Sequence, residues 1–573
     1  MLKVTSLRGA LRKKLFHQEQ KAPVYDSVYP IFIKKQRAPL VITSHPEHLH
    51  ETNIRYPLIE PFLYANIVWD RERSELVYKI LEPWLTEEDR KTISGITSDL
   101  MELLEVELSS ITKKAEAVKY LEEHVKRIIS ETGIKVPRHK YGKIFYYIYR
   151  NFIGLNEIEP LMNDPRIEDI GCDGVGVPIY IVHRVFGSVK TNIKFDNLEI
   201  LRNLVVKIAE RCGRYISYAE PILDGSLPDG SRAHASLSSD VTTHGPTFSI
   251  RKFKEEPFSP VDIIGVGTAS PEVMSYLWTT VEHGSSILIC GGVATGKTSL
   301  LNCLSMFIKP EQKIVTIEDT RELSLPHENW IPSVSRTGFG IPTATGEKYG
   351  EVSLFDLLKG SFRENPDYVI VGEVRGKEAY VMFQGMASGH PSMTTMHADS
   401  IEGVIRRLIT PPIELPPSLI ESLDMIIVLS HAREIGKSAR RINEIDEIES
   451  MDPVTGKAHH VKAYSWDPIN DTYQKKEESV LLRRIAANLG VSYESIVEDM
   501  EEKETITNWM LQKKITKFED VANVINLYYK DRHTLMDWVS SNMEPYSTMS
   551  KDDVRNLRVT ASGMRVLGEK QTA

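Results

Sequence analysis

The sequence predicts an α/β protein: a largely parallel sheet covered by helices, preceded by a smaller α+β domain and extended by helices at both ends. Two textures carry that expectation. Strand-length apolar runs at Ile287 to Cys290, Ile314 to Ile317, Tyr368 to Val371 and Met425 to Leu429 alternate with helix-length segments, as strands do when helices cross between parallel neighbours. Upstream, from about Pro160 to Lys254, short apolar runs are broken by Gly, Pro and Asp, which suits antiparallel strands and turns. The chain has 573 residues, enough for three or four domains at ~150 residues each.

Composition narrows the class. With 41% hydrophobic and 26% charged residues the chain belongs with folded globular proteins. Lys plus Arg number 70 against 79 Asp plus Glu, a net charge of −9, which opposes binding driven mainly by nucleic-acid phosphates. The 4 cysteines, Cys172, Cys212, Cys290 and Cys303, form no C-x-x-C, so neither a disulfide framework nor a Cys-rich zinc site is written, and a reducing compartment is expected. No apolar run approaches the ~18 residues of a membrane span, and the first twenty residues lack a signal peptide's apolar stretch. A cytoplasmic protein is expected.

In chain order, Lys3, Arg8, Arg12, Lys13 and Lys14 accompany Leu2, Leu7, Leu11 and Leu15 at near-helical spacing, the pattern of a basic amphipathic helix suited to an anionic surface. From Ser74 to about Thr132 the chain is rich in Leu, Glu and Lys, with Leu100, Leu103, Leu104, Leu108 and Ile111 on helical repeats. Ile179 to Val182 and Val185 to Ile193 read as paired strands. EEPFSP reads as a linker, and after Glu477 the pattern is helical. There Thr516-x-x-Glu519 has the form of a capping box, with Phe518, Val521, Ile525 and Tyr528 on one face. The expected organisation is a helical accessory region over 1–140, an α+β domain over 141–254, a linker over 255–262, the main sheet domain over 263–476 and a helical appendage over 477–573.

The most informative stretch is SSILICGGVATGKTSLLNCL, in which Gly291, Gly292, Val293, Ala294, Thr295, Gly296, Lys297 and Thr298 match G-x-x-x-x-G-K-[ST], followed by Ser299. An apolar run precedes it and a Leu-rich helical pattern follows, the strand, loop and helix that the motif requires. The glycines let successive N–H groups point at phosphate oxygens, Lys297 supplies a mobile charge for the β- and γ-phosphates, and the Thr298 hydroxyl suits Mg²⁺. The chain is therefore expected to bind a nucleoside triphosphate. Gly171, Gly174 and Gly176 lack a following helix and read as turn glycines.

Two strand-like runs end in acids, Glu318-Asp319 and Gly372-Glu373. At the carboxyl ends of parallel strands both face the ligand side, where one carboxylate holds Mg²⁺ and another deprotonates the attacking water. His390 and His397 flank a short β-type segment. Their seven-residue spacing is not a helical zinc pair, and His397 suits donation to a phosphate oxygen.

At this point GGVATGKTS, TIEDTREL, PDYVIVGEVRG and GHPSMTTMHADS, with IEDIGCDG, PILDGSLPDGSR and FSIRKF upstream, resemble the ATPases of type II and type IV secretion systems, especially their archaeal branch, which serves archaella and pili. The resemblance implies a RecA-like P-loop domain joined to a PAS-like α+β N-terminal domain. It further implies an Mg²⁺-dependent ATPase, a homohexamer, a polytopic membrane platform protein and pilin-like subunits as partners, and a peripheral place on the cytoplasmic face of the membrane. Carried over by position, Glu318 resembles the catalytic glutamate, Glu373 the Walker B glutamate that holds Mg²⁺ with Thr298, and His397 the histidine facing the γ-phosphate. Arg232 and Arg251 resemble arginines brought to nucleotide from the N-terminal domain, which would stabilise transition-state charge. The four-cysteine zinc element of bacterial relatives is missing, and Asn365 stands where archaeal relatives often carry a second arginine, with Arg363 nearby. A nucleic-acid motor is the competing class. No N-K-x-D or L-S-G-G-Q segment supports a GTPase or a transporter ATPase.

Overall fold

The structure is a computed structural model that describes residues 25–33, 49–103, 114–237, 242–253, 257–336, 338, 348–434, 437–453 and 455–544. The basic segment at 1–16 and the leucine repeat beyond Leu103 lie outside the described residues. Two compact units divide the chain between Lys254 and Glu255.

Unit 1 is built on strands β1 (Asn53–Ile59), β2 (Leu63–Asp70), β3 (Glu75–Leu81), β4 (Ile167–Cys172), β5 (Pro178–His183), β6 (Gly187–Lys194), β7 (Ile222–Ser226), β8 (Arg232–Ser236) and β9 (Thr247–Arg251). They form one sheet in the order β1-β2-β3-β6-β5-β4-β9-β8-β7. Neighbours are antiparallel except β3 and β6, which pair in parallel through Val77–Lys190 and Tyr78–Thr191. Alternation decides each strand's buried face: Ile170 and Cys172 of β4 and Phe248 and Ile250 of β9 turn inward. Helices Lys114–Thr132, Arg138–Phe152 and Leu198–Arg211 share that core. The Asn197 side chain caps the last of them by accepting from Glu199 N and Ile200 N.

The first strands correct the expectation that 1–140 is helical. The segment after Ser74 opens with a strand, because Val77, Tyr78 and Ile80 are buried against the sheet and Asp70 pairs with Glu75 across a tight turn. Tyr56 and Tyr78 each donate to Asp164 Oδ2 at 2.6 Å. That buried carboxylate ties the three-stranded meander to the turn before β4.

Unit 2 holds β10 (Ile287–Gly291), β11 (Ile314–Glu318), β12 (Trp330–Val334), β13 (Tyr368–Val371), β14 (Ser392–Met396), β15 (Met425–Glu434), β16 (Lys437–Met451), β17 (Ala458–Asp467) and β18 (Thr472–Lys475). Their order is β12-β11-β13-β14-β10-β15-β16-β17-β18. Pairs from β12 to β15 are parallel, and those from β15 to β18 are antiparallel. β10, β11, β13 and β14 are buried throughout, as expected of parallel strands covered on both faces. One face packs on helices Pro271–Glu282 and Lys297–Ser305, the other on Glu378–Ala387 and Ile401–Ile409.

Three local expectations change here. EEPFSP does not run as linker to 262: Ser259 and Asp262 form a capping box, with Pro260 at the first turn of helix Pro260–Gly265. The Thr516 capping box does not form; helix Phe518–Lys530 starts at Lys517 without a side-chain cap, and Thr516 O accepts from Ser259 Oγ at 2.8 Å. The C-terminal helices are part of the unit 2 core rather than an appendage. Trp278 Nε1 donates to Tyr529 OH at 2.9 Å, and Lys503, fully buried, pairs with Glu282 at 2.6 Å and Asp499 at 2.5 Å.

Candidate functional site

β10 delivers the chain to the loop at Gly291. A Cβ at that position would lie 2.6 Å from Leu429 O and 2.7 Å from Thr295 Oγ1, so only glycine lets the loop fold against β15. Thr295 Oγ1 donates to Gly292 O at 3.0 Å. Gly296, at φ 93, is the N-cap of helix Lys297–Ser305 and supplies no capping side chain. The first N–H groups of that helix therefore keep their hydrogen-bonding capacity for an anion. Thr298 and Ser299 sit half-buried in its first turn, while Val293 and Ala294 are exposed at the loop's tip.

Lys297 is 8% exposed. Its ammonium donates to Gly291 O at 3.0 Å and Gly292 O at 2.7 Å and lies 3.2 Å from His397 Nδ1. Burial lowers its pKa, with Glu373 pulling the other way. Because Lys297 offers protons only, Nδ1 accepts, which leaves the Nε2–H of the imidazole facing Glu373 Oε1 at 3.3 Å. The contact is one of ion-pair distance rather than hydrogen-bond geometry, and Glu373 Oε1 is buried without a hydrogen-bond partner. Burial would raise the Glu373 carboxyl, but the hydrogen bond and charge of Arg375, then His397 and Lys297, bring it below its ordinary range. Arg407 Nη1 fixes the backbone beneath the imidazole by donating to His397 O at 2.5 Å. Lys297, His397 and Glu373 are thus brought together from the segments that follow β10, β14 and β13.

Glu318 ends β11, the neighbour of β13, and is 3% exposed. Oε1 accepts from Glu322 N at 2.9 Å and Leu323 N at 3.0 Å; Oε2 is buried without a partner. A Cβ at Gly372 would lie 3.2 Å from Glu318 Cγ, so the glycine before Glu373 makes room for the Glu318 stem. Burial pushes this carboxyl up to about 7, against the two backbone donors. Asp319 is used otherwise, accepting from Ser335 Oγ at 3.0 Å.

Arg232 and Arg251 belong to unit 1, directly opposite each other on β8 and β9. Asp224 holds Arg232 at 3.0 Å and Asp169 holds Arg251 at 3.1 Å. With Tyr180 and His234 they line an open concavity of about 490 Å³ on the exposed sheet face. His390 packs edge-on against Phe362 with ring centroids 5.2 Å apart, at the opposite end of β14 from His397, so the seven-residue spacing is the length of one strand. Asn365 adopts a left-handed conformation, φ 48, after a short helical turn, which suits asparagine better than arginine.

Sequence reasoning missed Arg375, Arg407 and His431. Arg375 was visible in VGEVRG. Arg407 and His431 reach the site only through tertiary structure, His431 Nε2 lying 3.2 Å from Val293 O.

A glycine-built loop at a helix N-terminus, a buried lysine and two acids at neighbouring strand ends give unit 2 the form of a P-loop α/β domain. A family model described as type II/IV secretion system protein matches residues 177–522, and the chain belongs to that family. An uncharacterised protein of Methanocaldococcus jannaschii is 36% identical over 519 residues, covering 88% of this chain and 89% of its own. The type IV secretion system protein PtlH of Bordetella pertussis is 31% identical over 276 residues, 43% of this chain and 79% of its own. Among solved structures, the VirB11 ATPase of the Brucella suis type IV secretion system shares 24% identity at a TM-score of 0.26, covering 50% of this chain and 92% of its own. The pilus retraction motor PilT with bound ADP shares 17% at 0.35, covering 62% and 92%.

The residues fit Mg²⁺. Glu373 Oε1 is a buried carboxylate oxygen without a hydrogen-bond partner, Thr298 sits half-buried in the first turn of the loop's helix, and no group of three or more metal-binding side chains exists among the described residues. That donor set suits a cation that keeps waters and takes its other oxygens from phosphates. Among the described residues, no helix is long and apolar enough to cross a membrane.

Proposed function

We propose that this protein is an Mg²⁺-dependent ATPase, the homohexameric motor of a type IV pilus-like filament, archaellum or type II-like secretion machine. The observation that carries the reading is the junction of Lys297, His397 and Glu373 at the phosphate loop, beside a buried Glu318 whose second oxygen has no partner. In this reading residues 263–476 carry the nucleotide and residues 141–254 bring Arg232 and Arg251 to it. The two arginines answer to the γ-phosphate in place of Asp224 and Asp169.

The chemistry follows from the side chains. Loop N–H groups and Lys297 hold the β- and γ-phosphates, so the ammonium exchanges the carbonyls of Gly291 and Gly292 for phosphate oxygens. Thr298 and Glu373 would hold Mg²⁺, which when bound neutralises charge on the phosphates. Water attacks the γ-phosphorus, the bond from that phosphorus to the ADP oxygen breaks, and the water's proton passes to Glu318 Oε2. A base with a pKa of about 7 is ionised enough to accept it near neutrality. His397 donates Nε2–H towards the γ-phosphate or Glu373, so it responds to whether the phosphate is present.

Membership of a family of secretion-system proteins supports a membrane platform protein and pilin-like subunits as partners, with a peripheral position on the inner face of the membrane. The family relationship and the charge of −9 favour this over nucleic-acid translocation. The test is ATP hydrolysis by the full chain with and without Mg²⁺, with oligomeric state measured by light scattering. A wild-type protein that neither binds nor hydrolyses ATP overturns the reading.

A further inference from the structure

The hairpin β15–β16 stands beside the phosphate loop on the side away from His397. In the sheet β10 is bordered by β14 on one side and by β15 on the other. β10 ends at Gly291, paired with Leu429. β15 runs on to Glu434, and β16 returns from Lys437 with His431 opposite Arg440 and Ser430 opposite Arg441. The hairpin thus continues past the end of β10 and flanks the loop.

Two contacts show how closely. His431 Nε2 is 3.2 Å from Val293 O, and a Cβ added to Gly296 would lie 3.3 Å from Arg440 Cδ. The stem of Arg440 therefore lies against the loop's last glycine, the N-cap of the phosphate-binding helix. The two neighbouring arginines of β16 differ in employment. Arg441 is 4% exposed and bound twice to Asp471 at 2.8 Å. Arg440 is half-buried, and among the described residues no hydrogen bond or ion pair engages its guanidinium.

The geometry points to Arg440 as a second cation of the nucleotide site, one that binds the nucleoside-diphosphate end of the ligand. This rests on the reading of the site as one for ATP. Lys297, His397 and Glu373 gather on the β14 and β13 side of the loop, which fixes the γ-phosphate there. A triphosphate wrapped on the loop then carries its α-phosphate and ribose out on the opposite side, where the hairpin stands. A guanidinium anchored by its stem on Gly296 meets those oxygens with paired donors. It comes from the same protomer and the same unit as the loop, unlike Arg232 and Arg251, which lie in unit 1.

The test measures ADP and non-hydrolysable ATP binding to the full chain by calorimetry. Arg440→Gln raises both dissociation constants by a common factor of about tenfold, the scale of one charge-assisted contact, and Arg440→Lys recovers part of the loss. Arg440→Met keeps a stem on Gly296 without charge, and matches Arg440→Gln if the charge is what matters. Unchanged affinities in both neutral variants overturn the inference. So does a loss for the triphosphate alone, which would place the contact at the γ-phosphate. If the wild type binds neither nucleotide, or Lys297→Ala binds both as tightly as the wild type, the underlying ATP-site reading fails instead, and the inference with it.

Discussion

Glu318→Gln separates the chemistry of the site from its cost to the fold. In the folded protein burial raises this carboxyl from its ordinary 4.5 to about 7, which corresponds to roughly 3.5 kcal/mol. The sign follows from proton counting. Between those two values the unfolded chain has released the proton and the folded one keeps it, so the contribution is complete below 4.5 and lost as pH rises through 7. Glutamine keeps an acceptor for Glu322 N and Leu323 N but cannot ionise. The assay is urea unfolding of the full chain without nucleotide, followed by tryptophan fluorescence from pH about 5 to about 8.5, a range that covers most of the rise. The stability of Glu318→Gln relative to wild type should climb by roughly 2.5 kcal/mol across it, while hydrolysis falls ~100-fold or more and ATP binding persists. Parallel stability curves would refute the buried, neutral carboxyl. Wild-type turnover in the variant would refute its role as base.

Lys297→Ala should abolish hydrolysis and weaken ATP binding markedly in a protein whose circular dichroism is unchanged, since the buried ammonium is removed from the phosphates. Glu373→Gln should raise the Mg²⁺ concentration needed for half-maximal activity, read from a metal titration; an unshifted titration would move the metal role elsewhere. Arg232→Ala or Arg251→Ala should lower turnover, and wild-type activity per protomer should rise with protein concentration if the arginines serve a neighbour. Strict proportionality down to monomeric protein counts against that. Lys503→Met leaves Glu282 and Asp499 without their shared cation and should destabilise unit 2 by about 3 kcal/mol in urea unfolding, the scale of a broken buried pair.

What the sequence made legible is what chemistry demands locally. The loop from Gly291 to Thr298 must contain glycine where a side chain would strike Leu429, carries another at the helix N-cap, where φ is 93, and must be followed by a helix, so spacing alone reveals it. The buried parallel strands β10 and β13 are apolar throughout, and β11 is so but for Thr316 and its terminal Glu318, so they stand out for the same reason. β16 and β17 do not: they mix charged and apolar residues, and two of their acids, Asp446 and Glu447, are buried by partners distant in sequence, His460 and Tyr276. The strand at Glu75 was hidden because its pairing partners, β2 and β6, supply the burial that its own short alternation only hints at. The same division runs through the site. Lys297, Glu318, Glu373 and His397 lie in motifs whose order announces them, whereas Arg440 lies 144 positions after Gly296 in sequence and reaches it only because an antiparallel hairpin grows past the end of a parallel strand. A residue placed by register rather than by motif leaves no local pattern, so the nucleotide's second cation becomes visible only once β15 and β16 are paired.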